Sequence, residues 1–451
     1  MDGTADGAWA LGRTDFIEQA ATSLKVKRNV PSRTGPRIAE EKVQSTVKPS
    51  GPMALSRNRE FRAIAVAEAL SVIGDQLSRV ALALLVFERT RSAGLSGLTY
   101  ALTYLPTVAG GFLLSSLADR RPRRELSVAI DAMRAAIVLT MALPGMPFAV
   151  LCCLVAASSF LSGPYTAARL ALLRDVLPQE QYGAGMAVRQ SLSQGGQLVG
   201  FAAGGFIATA FDPATCLIVD GLTFTTAALV VRLFVRARPA TTTERARGGT
   251  ASTIAFIWQS PARRAILLST VTGVFLTAPK ALAAPLVFDM GLHGGWTGIF
   301  MASEGIFAVV ALAFFARLVK ADRYPRIFPI VCLAPCVPLL LVFTIGNPFL
   351  IVLAFGLSGA LWAVLTVVAA SSFADLLPNE QRGRGMGIAG SMNATAQGVG
   401  AFLAGVLADR IGAASSISLV GLTGLLVALI PALLWLSAPL PDDRAEAVTV
   451  S

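Results

Sequence analysis

The sequence predicts an all-α membrane protein: twelve transmembrane helices in two pseudo-symmetric six-helix bundles. Three observations carry that expectation. Only 14% of the 451 residues are charged and 54% are hydrophobic, whereas a soluble domain carries about 25% charged residues. The apolar residues come in blocks of roughly 20, the length a helix needs to cross ~30 Å of hydrocarbon. Finally, LPQEQYGAGM at 177–186 returns as LPNEQRGRGM at 377–386, so one unit is written twice.

Residues 1–54 are polar and contain the basic, turn-prone run KVKRNVPSRTGPR. Without an apolar period or a continuous apolar core they read as a disordered cytoplasmic tail, not a signal peptide. Met53 offers a second natural start. Six apolar blocks follow at 62–87, 95–117, 126–144, 148–172, 184–210 and 214–236, giving an N-terminal bundle over 55–236. The longest polar interruption, 237–262, is a cytoplasmic linker. Its segment STIAFIWQSPARR is too short to span and reads as an interfacial helix with Trp258 at headgroup level. Blocks at 264–288, 295–317, 327–345, 348–373, 384–408 and 413–437 make a C-terminal bundle over 263–437, and 438–451 is a polar cytoplasmic tail.

The repeat runs beyond its most obvious phrase. Asp175, Glu180, Gly185, Gln197 and Gly205 match Asp375, Glu380, Gly385, Gln397 and Gly405. LLVFE at 84–88 matches PLVFD at 285–289, and ADRRPR at 118–123 matches ADRYPR at 321–326. Parallel repeats about an axis along the membrane normal place a binding site between the halves, near the midplane.

Orientation follows from the basic residues. The connections that are inside if both termini are cytoplasmic hold Arg120, Arg121, Arg123, Arg124, Arg236, Arg238, Arg245, Arg247, Arg263, Arg264, Arg317, Lys320, Arg323, Arg326, Arg382 and Arg384. The others hold only Arg89, Arg91 and Arg410. That asymmetry predicts a multi-pass cell-membrane protein with both termini cytoplasmic. It also accounts for the net charge of +11 without nucleic acid, since no basic-aromatic module occurs.

Other function classes lack their residues. The five cysteines have no C-x-x-C spacing and His293 is the single histidine, so no metal site, disulfide framework or His-based catalysis is expected. No P-loop is present, and no nucleophile–base pair suggests an enzyme. GRGMGIAG, with Asp409 further on, has dinucleotide-fold spacing, but it opens a membrane helix rather than a soluble βαβ unit.

SSLADRRPRR at 115–124 carries Asp119, Arg120, Arg123 and Arg124 in the pattern G-x-x-x-D-R-x-G-R-R/K. Ser115 and Pro122 stand in place of its two glycines. With this loop and the repeat, 55–437 resembles a major facilitator superfamily transporter. SVIGDQLSRVALALLVFERT and LTYALTYLPTVAGG further resemble the bacterial branch of the enterobactin exporter and macrolide efflux pumps. The resemblance implies a secondary active transporter working by alternating access, with proton-coupled efflux of a drug, siderophore or secondary metabolite. It would act as a monomer in the bilayer, driven by the proton gradient with no cofactor. Uptake or lipid flipping by the same fold is an alternative, and so is a transport-inactive receptor or scaffold.

In that family Asp119 would sit at the positive N-terminal end of helix 11. Arg123, beside Arg120, would pair with Asp175, latching the cytoplasmic side; the plain alternative is a basic loop that only sets orientation. GGQLVGFAAGG at 195–205, with Gly196, Gly200, Gly204 and Gly205, resembles the antiporter motif of drug–proton exchangers with Phe201 in place of proline. Close helix packing explains the glycines equally well.

Charges inside a bilayer are costly and default to functional candidates. Glu68, Asp75 and Arg79 share one face of helix 1. Lys280 aligns with Arg79 in the repeat, between Pro279 and Pro285, and Glu304 lies in helix 8. Asp75 reads either as a proton- or substrate-coupling carboxylate or as a static partner of Arg79, one turn away. Asp131 and Arg134 read as a structural bridge, Arg169 and Arg189 as snorkelling cations, and Asp220 as a local hydrogen-bond anchor.

Overall fold

The computed structural model describes residues 55, 57–114, 117, 121–238 and 249–438. The expected tail at 1–54, the loop residues Asp119 and Arg120, and the C-terminal tail after 438 lie outside them. Twelve spans follow in chain order: α1 Arg59–Thr90, α2 Ala93–Leu114, α3 Arg123–Met141, α4 Phe148–Val176, α5 Gln179–Ala210 and α6 Pro213–Phe234. The second half adds α7 Pro261–Asp289, α8 Gly295–Leu318, α9 Ala321–Thr344, α10 Pro348–Leu376, α11 Asn379–Ile411 and α12 Ala413–Leu436.

Eight spans, and α7 as a ninth, are apolar enough to cross a membrane on composition alone. The three that are not are α3, α5 and α11. Helix α3 opens on Arg123, Arg124 and Glu125 and holds Asp131 and Arg134, while α5 and α11 are rich in Gly, Gln and Ser. Asp131 and Arg134 of α3, Gly196, Gly200 and Gly204 of α5 and Gly400 and Gly405 of α11 face other helices, and that packing suits these spans to the bundle interior.

Local chemistry sets the helix ends. Asn58 caps α1, its side chain accepting from the amides of Glu60 and Phe61. Helix α1 stops where Arg91 takes a left-handed φ of 54°. Ser92 then caps α2, accepting from Leu95 N at 3.1 Å. Proline ends α4 and α10 at Pro178 and Pro378, which also open α5 and α11.

Helix α7 is broken. It bends by 42° between Ala281 and Ala283, because Pro285 has no N–H to give the carbonyl of Ala281 and Pro279 has none for the turn before. In α9, Pro335 and Pro338 turn the second half of the helix to 3-10 geometry. The linker forms a short helix at Thr250–Trp258, with Ile257 buried, Ile254 and Trp258 exposed, and Arg263 stacked 3.7 Å over Phe256.

By the alternation of the spans, the starts of α3, α5, α9 and α11, with Arg121, Arg123, Arg124, Arg323, Arg326, Arg382 and Arg384, share one Arg-rich face. The halves meet on the opposite face. There α5 crosses α8 with Gly205 against Gly298, where an added Cβ would lie 2.5–2.7 Å from the facing Cα. Helix α2 crosses α11 with Gly97 against the carbonyl of Ala401 and Gly405 against that of Ala93, 2.4 and 2.5 Å from an added Cβ. Only glycine permits such approach. Toward the Arg-rich face α5 and α11 leave open space: an added Cβ at Gly183, Gly383, Gly387 or Gly390 would meet nothing within 4 Å.

Candidate functional site

Helix α1 is the core of the first half, and its polar residues set the site. Gly74 lets α6 come so close that any Cβ there would strike Asp220 and Thr223 at 2.1 and 2.2 Å. That approach brings Ser78 Oγ to donate to Asp220 Oδ2. Opposite, Arg134 of α3 reaches Asp75 Oδ1 at 2.5 Å, stacks 4.2 Å over Phe224 and donates to Ser158 Oγ at 3.4 Å. Asp220 lies within electrostatic reach of both Asp75 and Arg134. Arg134 is the ion-pair partner of Asp75, while Asp220 is held by the hydroxyls of Ser78 and Thr223.

These groups line a cavity of about 260 Å³. Arg79 lies on its wall, 5.0 Å over the ring of Tyr104 and bonded to Gln76 Oε1 at 3.3 Å. Hydroxyls of Thr103, Thr107, Ser158, Ser159 and Ser162 complete it, and Ala394 of α11 is the contribution from the other half. The adjacent Asn393 lines a second, more apolar cavity of about 170 Å³ with Trp362 and Phe373. The first cavity balances two guanidinium groups against two carboxylates; the second offers aromatic surface.

Several expected pairings are corrected. Asp75 pairs with Arg134, not Arg79: the two-helix contact desolvates the α3 guanidinium beside it, while Arg79 turns to the Tyr104 face. Asp131 and Arg134 do not bridge each other. Asp131 pairs with Arg169 of α4 at 2.9 Å with both side chains at 0% exposure, so Arg169 does not snorkel. A charge sealed that deeply needs its partner beside it. Arg189 also turns inward, to Glu68 at 2.7 Å, and Glu68 is not among the cavity's lining residues.

The remaining candidates fall into place as follows. Lys280 and Glu304 join α7 to α8 at 2.6 Å, and Lys280 is within electrostatic reach of Tyr104 and Arg79. Arg123 pairs with Asp175 and also donates to the carbonyl of Ala171 at 3.4 Å. Gly196, Gly200 and Gly204 seat α5 on α1, against Val72, Ile73 and Val80. Gly205 faces α8 in the other half.

On the face away from the Arg-rich loops, Asp409 of α11 closes the α2 N-terminus. Its carboxylate accepts from Ala93 N at 2.6 Å, Ser92 Oγ at 2.8 Å and Gly94 N at 3.0 Å. Nearby, Arg91 stacks 4.1 Å over Phe288, which also meets Phe87 edge-on at 5.5 Å. The two halves are thus held together on the face away from the Arg-rich loops, with the charged cavity within the first half.

A family model described as Major Facilitator Superfamily matches residues 64–342 and 281–449. The chain belongs to the Major Facilitator Superfamily. It is therefore a multi-pass membrane transporter. Solved structures of the same fold include a bacterial homologue of the human lysosomal transporter Spinster in an inward-facing, unoccupied conformation, at TM-score 0.68 and 11% identity, over 85% of this chain and 99% of that one. The POT family transporter PepTSo aligns at TM-score 0.67 and 11% identity, over 84% and 98%. The nucleoside transporter NupG aligns at TM-score 0.63 and 14% identity, over 83% and 99%. A comparison with curated proteins finds no match.

For this superfamily member the sequence reading missed the role of Asp409, of Asp220 as a cavity carboxylate, and of Tyr104. The hydroxyl-rich run ASSFLSG at 157–163 and the phrase TYLPT at 103–107 were the available signals for a polar lining.

Proposed function

We propose that the protein is a proton-coupled exporter of a small molecule, working by alternating access about the Asp75–Arg134–Asp220 cavity. The observation that carries this reading is a cavity walled by α1, α3 and α6 that holds Asp75 paired with Arg134 and, beside them, Asp220, a second carboxylate held only by hydroxyls among the described residues. A proton taken up by Asp75 cancels its attraction for Arg134 and frees that cation for a substrate group. A substrate carboxylate or phosphate bound to Arg134 in turn releases Asp75. Either event changes which arrangement of the halves is stable, and a ligand shifts such an equilibrium only by its differential affinity for the two states.

The Arg-rich face lies in the cytoplasm on this reading, with both termini there and the protein in the cell membrane as a monomer. Substrate enters from the cytoplasm, its polar end among the hydroxyls and Arg134 and its apolar part toward Trp362. The test is a substrate screen in energised inverted vesicles, read by mass spectrometry with and without an uncoupler. Accumulation that the uncoupler abolishes supports the proposal. Accumulation indifferent to the uncoupler refutes proton coupling, and uptake only in right-side-out vesicles refutes export.

A further inference from the structure

The repeat places two residues in corresponding positions that behave differently. In the first half Arg123, at the start of α3, reaches back to the end of α4 and holds both Asp175 and the carbonyl of Ala171. Its counterpart in the register of ADRRPR and ADRYPR is Arg326, and those of Ala171 and Asp175 are Ser371 and Asp375. Arg326 is exposed and makes no ion pair with Asp375 among the described residues. The helix that carries it begins at Tyr324, so Arg326 is its third residue, whereas Arg123 opens its own helix.

Where Arg123 sits in the first half, the second has a cavity of about 160 Å³. Tyr324, Pro325, Ser371, Ser372, Asp375 and Trp435 line it. Trp435 is fixed there by its indole N–H, which donates to the carbonyl of Pro325 at 2.7 Å. Ser372 is buried at 6% exposure, and its hydroxyl has no protein partner. The counterpart of Ser372 is Leu172, so the second half exchanges an apolar side chain for a polar one at this spot.

We propose that this cavity binds a small organic cation, a guanidinium or primary ammonium group, in the place that Arg123 fills in the first half. Asp375 supplies the opposite charge. The C-terminal end of α10 adds the negative end of a helix dipole, as the end of α4 does for Arg123. Trp435 and Tyr324 offer aromatic surface to a cation, and Ser372 accepts a hydrogen bond. The volume equals that of about five waters at ~30 Å³ each, enough for such a group on a short chain. An occupied site ties the start of α9 to the end of α10, near the Arg-rich opening, so the cation acts as a modulator separate from the transported molecule.

The test uses the full chain in nanodiscs of zwitterionic lipid, with methylguanidinium and ethylammonium chloride as probes and ligand-observed NMR as readout. Wild-type protein should bind. Asp375→Asn, at an exposed position that leaves folding intact, should weaken binding roughly tenfold, the loss of one charge-assisted hydrogen bond. Ser372→Leu should abolish binding by filling the cavity, and Asp75→Asn in the central cavity should leave it within twofold. Equal binding by wild type and Asp375→Asn overturns the proposal, as does loss of binding in Asp75→Asn. Binding that appears only in Arg326→Ala also overturns it, because the site then belongs to the chain's own arginine.

Discussion

Replacing Asp409 by asparagine perturbs one contact that only one state of the carrier can hold. The carboxylate crosses between halves to cap α2, accepting from Ala93 N, Ser92 Oγ and Gly94 N at 2.6, 2.8 and 3.0 Å. An amide keeps the shape but has one accepting oxygen, so at least one donor loses its partner and faces an N–H instead. Asp409 is exposed, so solvent compensates part of the loss. Losing one hydrogen bond to a charged group costs ~1.5 kcal/mol at the low end, and losing the charge at the helix N-terminus adds ~0.5 kcal/mol. The sum, about 2 kcal/mol, is roughly a 30-fold shift in the balance between the two states. Spin labels at positions 183 and 383, where a side chain meets nothing within 4 Å, report the width of the Arg-rich opening. In a cysteine-free background Asp409→Asn should move the distance distribution from long to short. An unchanged distribution in a folded protein would refute the assignment of Asp409 as a state-specific cap.

Three further outcomes follow from the same geometry. Arg134→Ala strands Asp75, whose side chain is 34% exposed, and should lower stability by about 1–3 kcal/mol, the cost of leaving a polar group unpaired, whereas Arg134→Ala with Asp75→Asn should recover part of that in thermal unfolding while transport stays lost. Asp131→Asn and Arg169→Met each break a pair with 0% exposure on both sides and should each cost several kcal/mol, but a double-mutant cycle by thermal unfolding should show the pair far from additive. Gly298→Val puts side-chain atoms where the Gly205 Cα already lies 2.5 Å from an added Cβ. It should abolish flux while leaving the α1–α5 packing and expression intact, and wild-type flux would remove this crossing from the mechanism.

The membrane spans, the two halves and the superfamily were legible because each rests on local or periodic signals. Apolar block length, the LPQEQYGAGM repeat and the DR loop need no knowledge of which helix touches which. The cavity was half legible. Asp75 and Arg79 stand out as charges in apolar sequence, and both line it. Their partners were not legible, because spacing along one helix favours near neighbours. It suggested Asp75 with Arg79 and Asp131 with Arg134, while the fold joins α1 to α3 and α3 to α4. Gly74 likewise draws α6 against α1 and brings Asp220 to Ser78, and nothing local to Gly74 shows it. Asp409 was visible only as a distractor in a dinucleotide pattern, since its role depends on α2 lying beside α11.

The central claim is that flux requires the face held by α5 and α8 to open. The most direct test is a cysteine pair at Thr209 and Gly295, where an added Cβ on 295 lies 3.3 Å from Thr209 Oγ1, close enough for a disulfide. In proteoliposomes loaded with a substrate found by the vesicle screen, oxidation should stop flux and reductant should restore it. Wild-type flux through a quantitatively cross-linked protein would contradict alternating access in this chain.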